Sequence, residues 1–481
     1  MNKRGSRSSK LWFREFMDAK SRHTSFASTN PFVDIAKDSP HDLAIKAAQE
    51  KKKSVHDSLP PSLIANEQDC IAPFRRDEIV LGPLLGTGEF SHVYEIQSFC
   101  IKPAIAEDIK LSTKESEKRL HMKKCERYRE TKNARYALKH IDGKYLKDFL
   151  KQNNSDSYVQ AACDIALEAE ILASLNHPNI IKLRGITHSG TAGFSKGPSG
   201  YFLIIDRLFE TLDQRMRRWR DPNKCHSPTK KGRKSFLSRR ISFAFASSKS
   251  KLEESQTDQH LEPADKLELE DEMMDERLSI ALQISAAIMY LHSHSIIFRD
   301  LKPTNIGFDV RGDVRIFDFG LARIMPENGR HYNDTFKMSG AGTPRYMAPE
   351  CLRREAYNMK ADVYSFAILF WEMLSGQTPY VFARKRQHLI HYVVNERGRP
   401  DIHASWPADI KRMLESSFDS DIERRPEMEF VHSGIKKTLT SLRGGNNAGL
   451  SHAFINRRRS CDSFRQNSVI SGDLDPLRVS L

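Results

Sequence analysis

A chain of 481 residues, 39% hydrophobic and 29% charged, has room for two or three compact units with polar tails or inserts around the core. It contains no run of 18 apolar residues and no apolar stretch after the basic start Met1-Asn2-Lys3-Arg4-Gly5, so neither a membrane span nor a secretory signal is expected. The net charge of +14 is local, since residues 215–251 carry 13 basic and one acidic residue and 252–276 one basic and 11 acidic; seven scattered cysteines without a C-x-x-C pair argue against structural zinc and for a reducing, intracellular setting.

Residues 1–76 are rich in Ser, Asn, Lys and Pro and read as a disordered basic region with one helical patch at 42–53. Order is expected from Asp77. A strand at 79–85 leads into Gly86-Thr87-Gly88-Glu89-Phe90-Ser91, a turn whose backbone N–H groups can approach phosphate oxygens. The β-type residues Val93-Tyr94-Glu95-Ile96 follow, so the pattern is strand–turn–strand, whereas a dinucleotide-binding turn needs a helix there. Polar residues 97–135 read as an insert with a helix near 112–132. Lys139 then ends the apolar strand Tyr136-Ala137-Leu138-Lys139-His140-Ile141, and a long helix is expected over 161–175. A strand at 201–206 and a helix at 210–220 precede a second insert, 221–275, whose basic half (230–240) and acidic half read as a solvated loop. The alternatives there are a nuclear-localisation patch, a phosphorylation site, or nucleic-acid binding as an accessory activity. Residues 277–294 form an apolar helix.

Residues 296–320 carry two polar clusters in an apolar, β-rich segment: Arg299-Asp300-Leu301-Lys302-Pro303-Thr304-Asn305 and Asp318-Phe319-Gly320. Short strands at 305–308 and 314–317, joined by a turn at Arg311-Gly312-Asp313, would set Asn305 beside Asp318. An amide oxygen and a carboxylate are hard ligands suited to magnesium. Asp300, in the loop before the first strand, is placed to accept a proton from a nucleophile facing a metal-bound phosphate. The polar loop 321–343 ends in Gly342-Thr343-Pro344-Arg345-Tyr346-Met347-Ala348-Pro349-Glu350; an apolar helix follows from Asp362 through Leu374, and 443–481 read as a disordered tail.

These motifs, in this order, resemble the eukaryotic protein kinases over 77–442, interrupted by the two inserts. The resemblance implies an α+β fold of two lobes: a small β-rich lobe with one regulatory helix, and a larger helical one. It implies transfer of the γ-phosphate of Mg-ATP to protein hydroxyls, with ATP and Mg²⁺ bound between the lobes. On this frame Leu85, Gly86, Thr87, Gly88, Glu89, Phe90, Ser91 and Val93 cover the nucleotide, and Ala137 packs on adenine. Lys139 bonds the α- and β-phosphates and pairs with Glu168, its rival Glu170 being expected in solvent. Ile205 is the gatekeeper, and Asp206 and Leu208 belong to the hinge. Asp300 is the catalytic base, Lys302 neutralises the moving phosphoryl group, and Asn305 and Asp318 hold the metal. Asp362 would hold the catalytic-loop backbone, and Arg425 would pair with Glu350.

Lys302-Pro303-Thr304 with Gly342-Thr343 resembles the Ser/Thr pattern, and residues 365–373 lean toward its tyrosine-kinase-like group. A phosphate on Ser339, added by an upstream kinase, would pair with Arg299 and order the loop. The sequence departs from the family at three positions. Ser91 replaces a glycine, Phe298 replaces the histidine before Arg299, and Gly307 replaces a larger residue under the adenine. The alternative function is a pseudokinase, the same fold serving as a scaffold. The compartment expected is the cytoplasm, or the nucleus if residues 230–240 act as a targeting patch.

Overall fold

The computed structural model describes residues 39–64, 71–88, 90–101, 111–144, 156–220, 263–326 and 334–445. It has the two lobes that the resemblance implies, a β-sheet lobe followed by a mainly helical one.

The small lobe is a six-stranded sheet in the order β1-β5-β6-β4-β3-β2. Its strands are β1 (Ala72–Phe74), β2 (Ile79–Thr87), β3 (Ser91–Phe99), β4 (Tyr136–Ile141), β5 (Leu183–Thr187) and β6 (Phe202–Asp206). The β1–β5 pair is parallel and the other neighbours are antiparallel. Val93 pairs with Lys139 across β3 and β4, which sets the lysine under the glycine turn.

Order starts before Asp77, and the helical patch expected at 42–53 is part of a longer helix. Helix α1 (Pro40–Ser58) and a short α2 (Pro61–Ile64) precede β1, which is an edge strand of the sheet. Ser39 starts α1 with a reciprocal cap: its hydroxyl accepts from the Asp42 amide at 3.2 Å and the Asp42 carboxylate accepts from the Ser39 amide at 3.3 Å. The first insert also begins later than residue 97, because β3 runs through Phe99. Within it, α3 (Thr113–Lys124) is docked on the sheet rather than merely solvated. Arg119 is buried against Glu78 and lies over the Phe74 ring, its guanidinium 5.3 Å from the centroid.

Helix α4 (Asp156–Ser174) packs between the sheet and α1. In the large lobe, α5 (Leu212–Arg220) follows the two-residue strand β7 (Glu210–Thr211). Helix α6 (Pro263–Ser293) starts well before residue 277, so the C-terminal part of the expected second insert is helix. Its residues Leu278, Ile280, Ala281, Ile284, Ile288 and Leu291 are all buried. After β8 (Ile296–Ile297), the hairpin of β9 (Ile306–Phe308) and β10 (Val314–Ile316) joins β7 in a three-stranded sheet. Gly312 turns that hairpin at φ +83°, a conformation glycine adopts without penalty. Strand β11 (Arg323–Ile324) pairs with β8, and β12 (Phe336–Lys337) with β13 (Ala356–Tyr357), which follows α7 (Pro349–Arg353). Every residue of α8 (Lys360–Ser375) through Leu374 is buried, so the lobe is built around it. Helices α9 (Arg386–Ile390), α10 (Ala408–Ser417) and α11 (Met428–Gly445) close the lobe, three residues beyond the expected end at 442. Glu89, residues 1–38, the basic block 230–240 and the tail from 446 lie outside the described residues.

Candidate active site

Lys139 projects from β4 into the cleft and is buried. Its Nζ lies 2.6 Å from Glu168 Oε2 and 3.1 Å from Asp318 Oδ1. Burial alone would lower the lysine pKa; the Asp318 and Glu168 carboxylates outweigh it and hold the ammonium above its ordinary value. The same lysine keeps Asp318 below the usual carboxylate range, whereas burial pushes Glu168 up. Glu170 is only partly exposed and is paired: His56 Nδ1 lies 3.3 Å from one of its carboxylate oxygens and Lys52 Nζ 3.2 Å from the other.

Both oxygens of the Asp300 carboxylate are engaged. Lys302 Nζ donates to Oδ2 at 2.6 Å and Asn305 Nδ2 to the same oxygen at 3.0 Å. The Thr343 amide and hydroxyl donate to Oδ1 at 3.0 and 2.8 Å. Lys302 also donates to Thr343 Oγ1 at 3.0 Å, closing a ring of three polar groups. Gly342 lets the chain come this close. Its φ is +127°, and a Cβ there would stand 2.7 Å from the Arg299 carbonyl oxygen.

Asn305 spends both hydrogens of its amide on Asp300, at the carboxylate and at the carbonyl oxygen 2.9 Å away. Its Oδ1 is therefore the atom left to face a cation. The Phe317 amide donates to the Asn305 carbonyl at 3.1 Å, which sets the far end of the hairpin and leads directly to Asp318. Asp318 itself has φ +70°, and Arg299 φ +74°. Two non-glycine residues in the left-handed region, one in each polar cluster, mark strain held by the surrounding structure. The oxygens of Asn305 and Asp318 fit a hard divalent cation completed by water and phosphate.

The strain at Arg299 is countered from below. Asp362, fully buried on α8, accepts from the Phe298 and Arg299 amides, both at 2.8 Å, and lies 3.0 Å from His292 Nε2. Phe298 packs edge-on to Phe319 with ring centroids 5.1 Å apart, an apolar contact where a histidine would add hydrogen bonds. Arg425 makes a two-pronged pair with Glu350 at 2.8 and 3.1 Å.

On the nucleotide side, the Gly88 amide donates to the Ser91 carbonyl at 2.7 Å, and the Asp142 amide donates to the Phe90 carbonyl at 3.0 Å, tying the turn to the end of β4. Gly86 and Thr87 pair with Val93 and His92; Leu85 is exposed and Ala137 buried. The Asp206 carboxylate is held by Arg184, with both contacts at 2.9 Å. The Leu208 amide has no partner among the described residues, as a hinge donor to a purine would require. Leu208 also answers the departure at Gly307: a Cβ on Gly307 would overlap Leu208 Cδ1, so the hinge side chain occupies the floor that the glycine leaves open. Sequence reasoning missed this contact, as it missed Thr343 on Asp300. Neither follows from short-range spacing, but a floor glycine with a leucine in the hinge was a signal for the first.

A family model described as protein tyrosine and serine/threonine kinase matches residues 142–435. The chain is 37% identical over 165 residues to serine/threonine-protein kinase STY17 of Arabidopsis thaliana, covering 34% of this chain and 28% of that one. It is 32% identical over 185 residues to serine/threonine-protein kinase STY46 of the same plant, covering 36% and 31%. It is 38% identical over 164 residues to dual specificity protein kinase shkB of Dictyostelium discoideum, covering 33% and 24%. The matched regions thus span less than a third of the length of these curated relatives. With the family model matching more than half of its length, the chain belongs to the protein tyrosine and serine/threonine kinase family.

Proposed function

We propose that the chain is an ATP-dependent kinase that phosphorylates serine and threonine hydroxyls of protein substrates. The observation that carries this reading is the meeting of Lys139, Glu168, Asp300, Asn305 and Asp318 in one cleft. A buried lysine between two carboxylates is costly to desolvate, and a scaffold has no use for it; a site that hands the lysine to phosphate oxygens does.

Lys139, steadied by Glu168, binds the α- and β-phosphates. The glycine turn, Gly86, Thr87, Gly88, Glu89, Phe90 and Ser91, is assigned to the phosphates. Leu85, Val93 and Ala137 enclose the adenine, and Asp206 and Leu208 of the hinge bond its edge. Asn305 Oδ1 and Asp318 are the residues that would hold magnesium, which supplies charge neutralisation on the phosphate oxygens. Asp300 orients the substrate hydroxyl and takes its proton as the new O–P bond forms and the bond to the ADP oxygen breaks. Lys302 neutralises the phosphoryl group in passage. The contact of Lys302 with Thr343 and the printed names of the Arabidopsis relatives favour Ser/Thr over Tyr as acceptor.

Mg-dependent transfer of labelled γ-phosphate to a generic substrate tests the reading. Wild type is expected to incorporate label on phosphoserine or phosphothreonine, and Asp300→Asn to lose about a thousandfold in kcat or more. Equal incorporation by both proteins, or none by wild type after phosphorylation by an activating kinase, contradicts it.

The activating phosphate is assigned to Ser339. Arg299 Nη2 lies 2.9 Å from its hydroxyl, so a phosphate there would meet a guanidinium already in place. Ser339→Ala is expected to remove the activation that an upstream kinase produces; full activation of the alanine variant would refute the assignment. No described helix is long and apolar enough to cross a membrane, and the four described cysteines are free thiols, which supports a reducing compartment.

A further inference from the structure

Resting on the kinase reading above, we propose that α1 is a positioning element for the reaction: it braces the outer face of α4 and so holds Glu168 at Lys139. Helix α4 needs such a cover. From Tyr158 to Ser174 most of its residues are buried on every side, including Tyr158, Ala162, Ala166 and Ala169. The sheet can cover only one side of it, and a helix that is apolar all round must be enclosed.

The enclosing surface is α1. Ala44, Ala48 and Val55 are buried in one core with the α4 residues. Ala44 and Ala48 are one turn apart, and their small side chains let the two helices approach closely. His41 meets the Tyr158 ring edge-on with centroids 6.0 Å apart. The polar contacts fix the register. Lys52 and His56 reach Glu170, two residues beyond Glu168 on the same helix.

The brace also borders the metal-site segment. A cavity of about 100 Å³ lies where α1, α4 and β11 meet, and Lys51, Val55, Leu167, Ile171, Ala322 and Arg323 line it. Lys51 there is largely desolvated, within the field of Asp164 and Arg323. Asp164 lies one turn before Glu168, and a Cβ on Gly320 would stand 3.6 Å from its Cβ. Thus α1 packs on the helix that carries Glu168 and lines one pocket with the strand that follows Asp318-Phe319-Gly320. With α1 displaced, α4 is free to move outward, Glu168 leaves Lys139, and the lysine stays with Asp318 instead of reaching the phosphates.

The test uses the full chain. Ala48→Glu places a carboxylate in the seam between α1 and α4. Amide hydrogen exchange in α4 is expected to speed up about tenfold or more while α8 stays within about twofold of wild type. Phosphate transfer should fall about tenfold in kcat with a smaller change in KM for ATP, because the nucleotide pocket is kept and the lysine is misplaced. Lys52→Glu sits on the solvent side and leaves the core intact. It should lower kcat about two- to threefold, and combining it with Glu170→Lys should restore the rate by re-forming the pair in reverse. Unchanged exchange in α4 of Ala48→Glu, or no recovery in the charge-swapped protein, overturns the brace. Exchange needs no turnover, so it decides the brace even if wild type transfers no phosphate, in which case the kinase reading alone falls.

Discussion

On the large-lobe side of the cleft, the catalytic loop hangs from Asp362, a carboxylate with no exposure whose helix is buried through fifteen consecutive residues. On the small-lobe side, Glu168 rides on α4, which is clasped by α1 and by salt bridges whose lysine and histidine are partly in solvent. Both sides place a carboxylate within hydrogen-bonding reach of its target. The first does so with core interactions that open only when the lobe unfolds; the second does so with a docked helix that can leave. The half that must hold the strained backbone at Arg299 is thus rigid, and the half that must deliver Lys139 is adjustable.

Asp362→Ala breaks the rigid half and should have the largest effect on stability. It leaves two buried amides and a buried histidine without their acceptor, at a cost of about 3–5 kcal/mol, so the denaturation midpoint of the large lobe should drop steeply and activity with it. Lys139→Met strikes the adjustable half and should separate the two properties. Transfer is expected to fall by about a thousandfold, from loss of phosphate positioning, while stability changes by about 1–2 kcal/mol, since Glu168 can take a proton once its lysine is gone. Equal loss of stability in the two variants, read by chemical denaturation, would erase the contrast. The smallest effect is expected from Gly307→Ala. The new methyl overlaps Leu208 Cδ1 and stands 3.2 and 3.3 Å from its Cγ and Cβ, so the hinge side chain must shift, and KM for ATP should rise about two- to fivefold with kcat nearly unchanged.

How much of this could be read from the chain depends on the range of the interactions. Asn305 and Asp318 sit at the two ends of one short hairpin, so their proximity follows from local turn chemistry. Lys139 and Glu168 are 29 residues apart but are set by the end of one strand and the face of one helix, both strongly patterned. Helix α1 was visible only as a patch. Its core residues are mostly alanines, which contribute little hydropathy, while its Lys51-Lys52-Lys53 run looks solvated; two of those lysines in fact face α4 and its neighbours. The start of α6 was hidden for a related reason. Its acidic composition reads as a loop, yet Glu, Leu and Met are strong helix formers, and the helix extends back to Pro263. The docked Arg119 of α3 pairs with Glu78, 41 residues away, and no periodicity announces such a contact.

The most direct measurement of the contrast is amide hydrogen exchange of the wild-type chain, comparing α4 with α8, with and without Mg-ATP. Protection of α8 is expected at the global level and unchanged by nucleotide, with α4 exchanging faster and slowing when Mg-ATP engages Lys139. If α4 were as protected as α8 and indifferent to nucleotide, the small-lobe side would be as rigid as the other, and the division between a fixed and an adjustable half would be wrong.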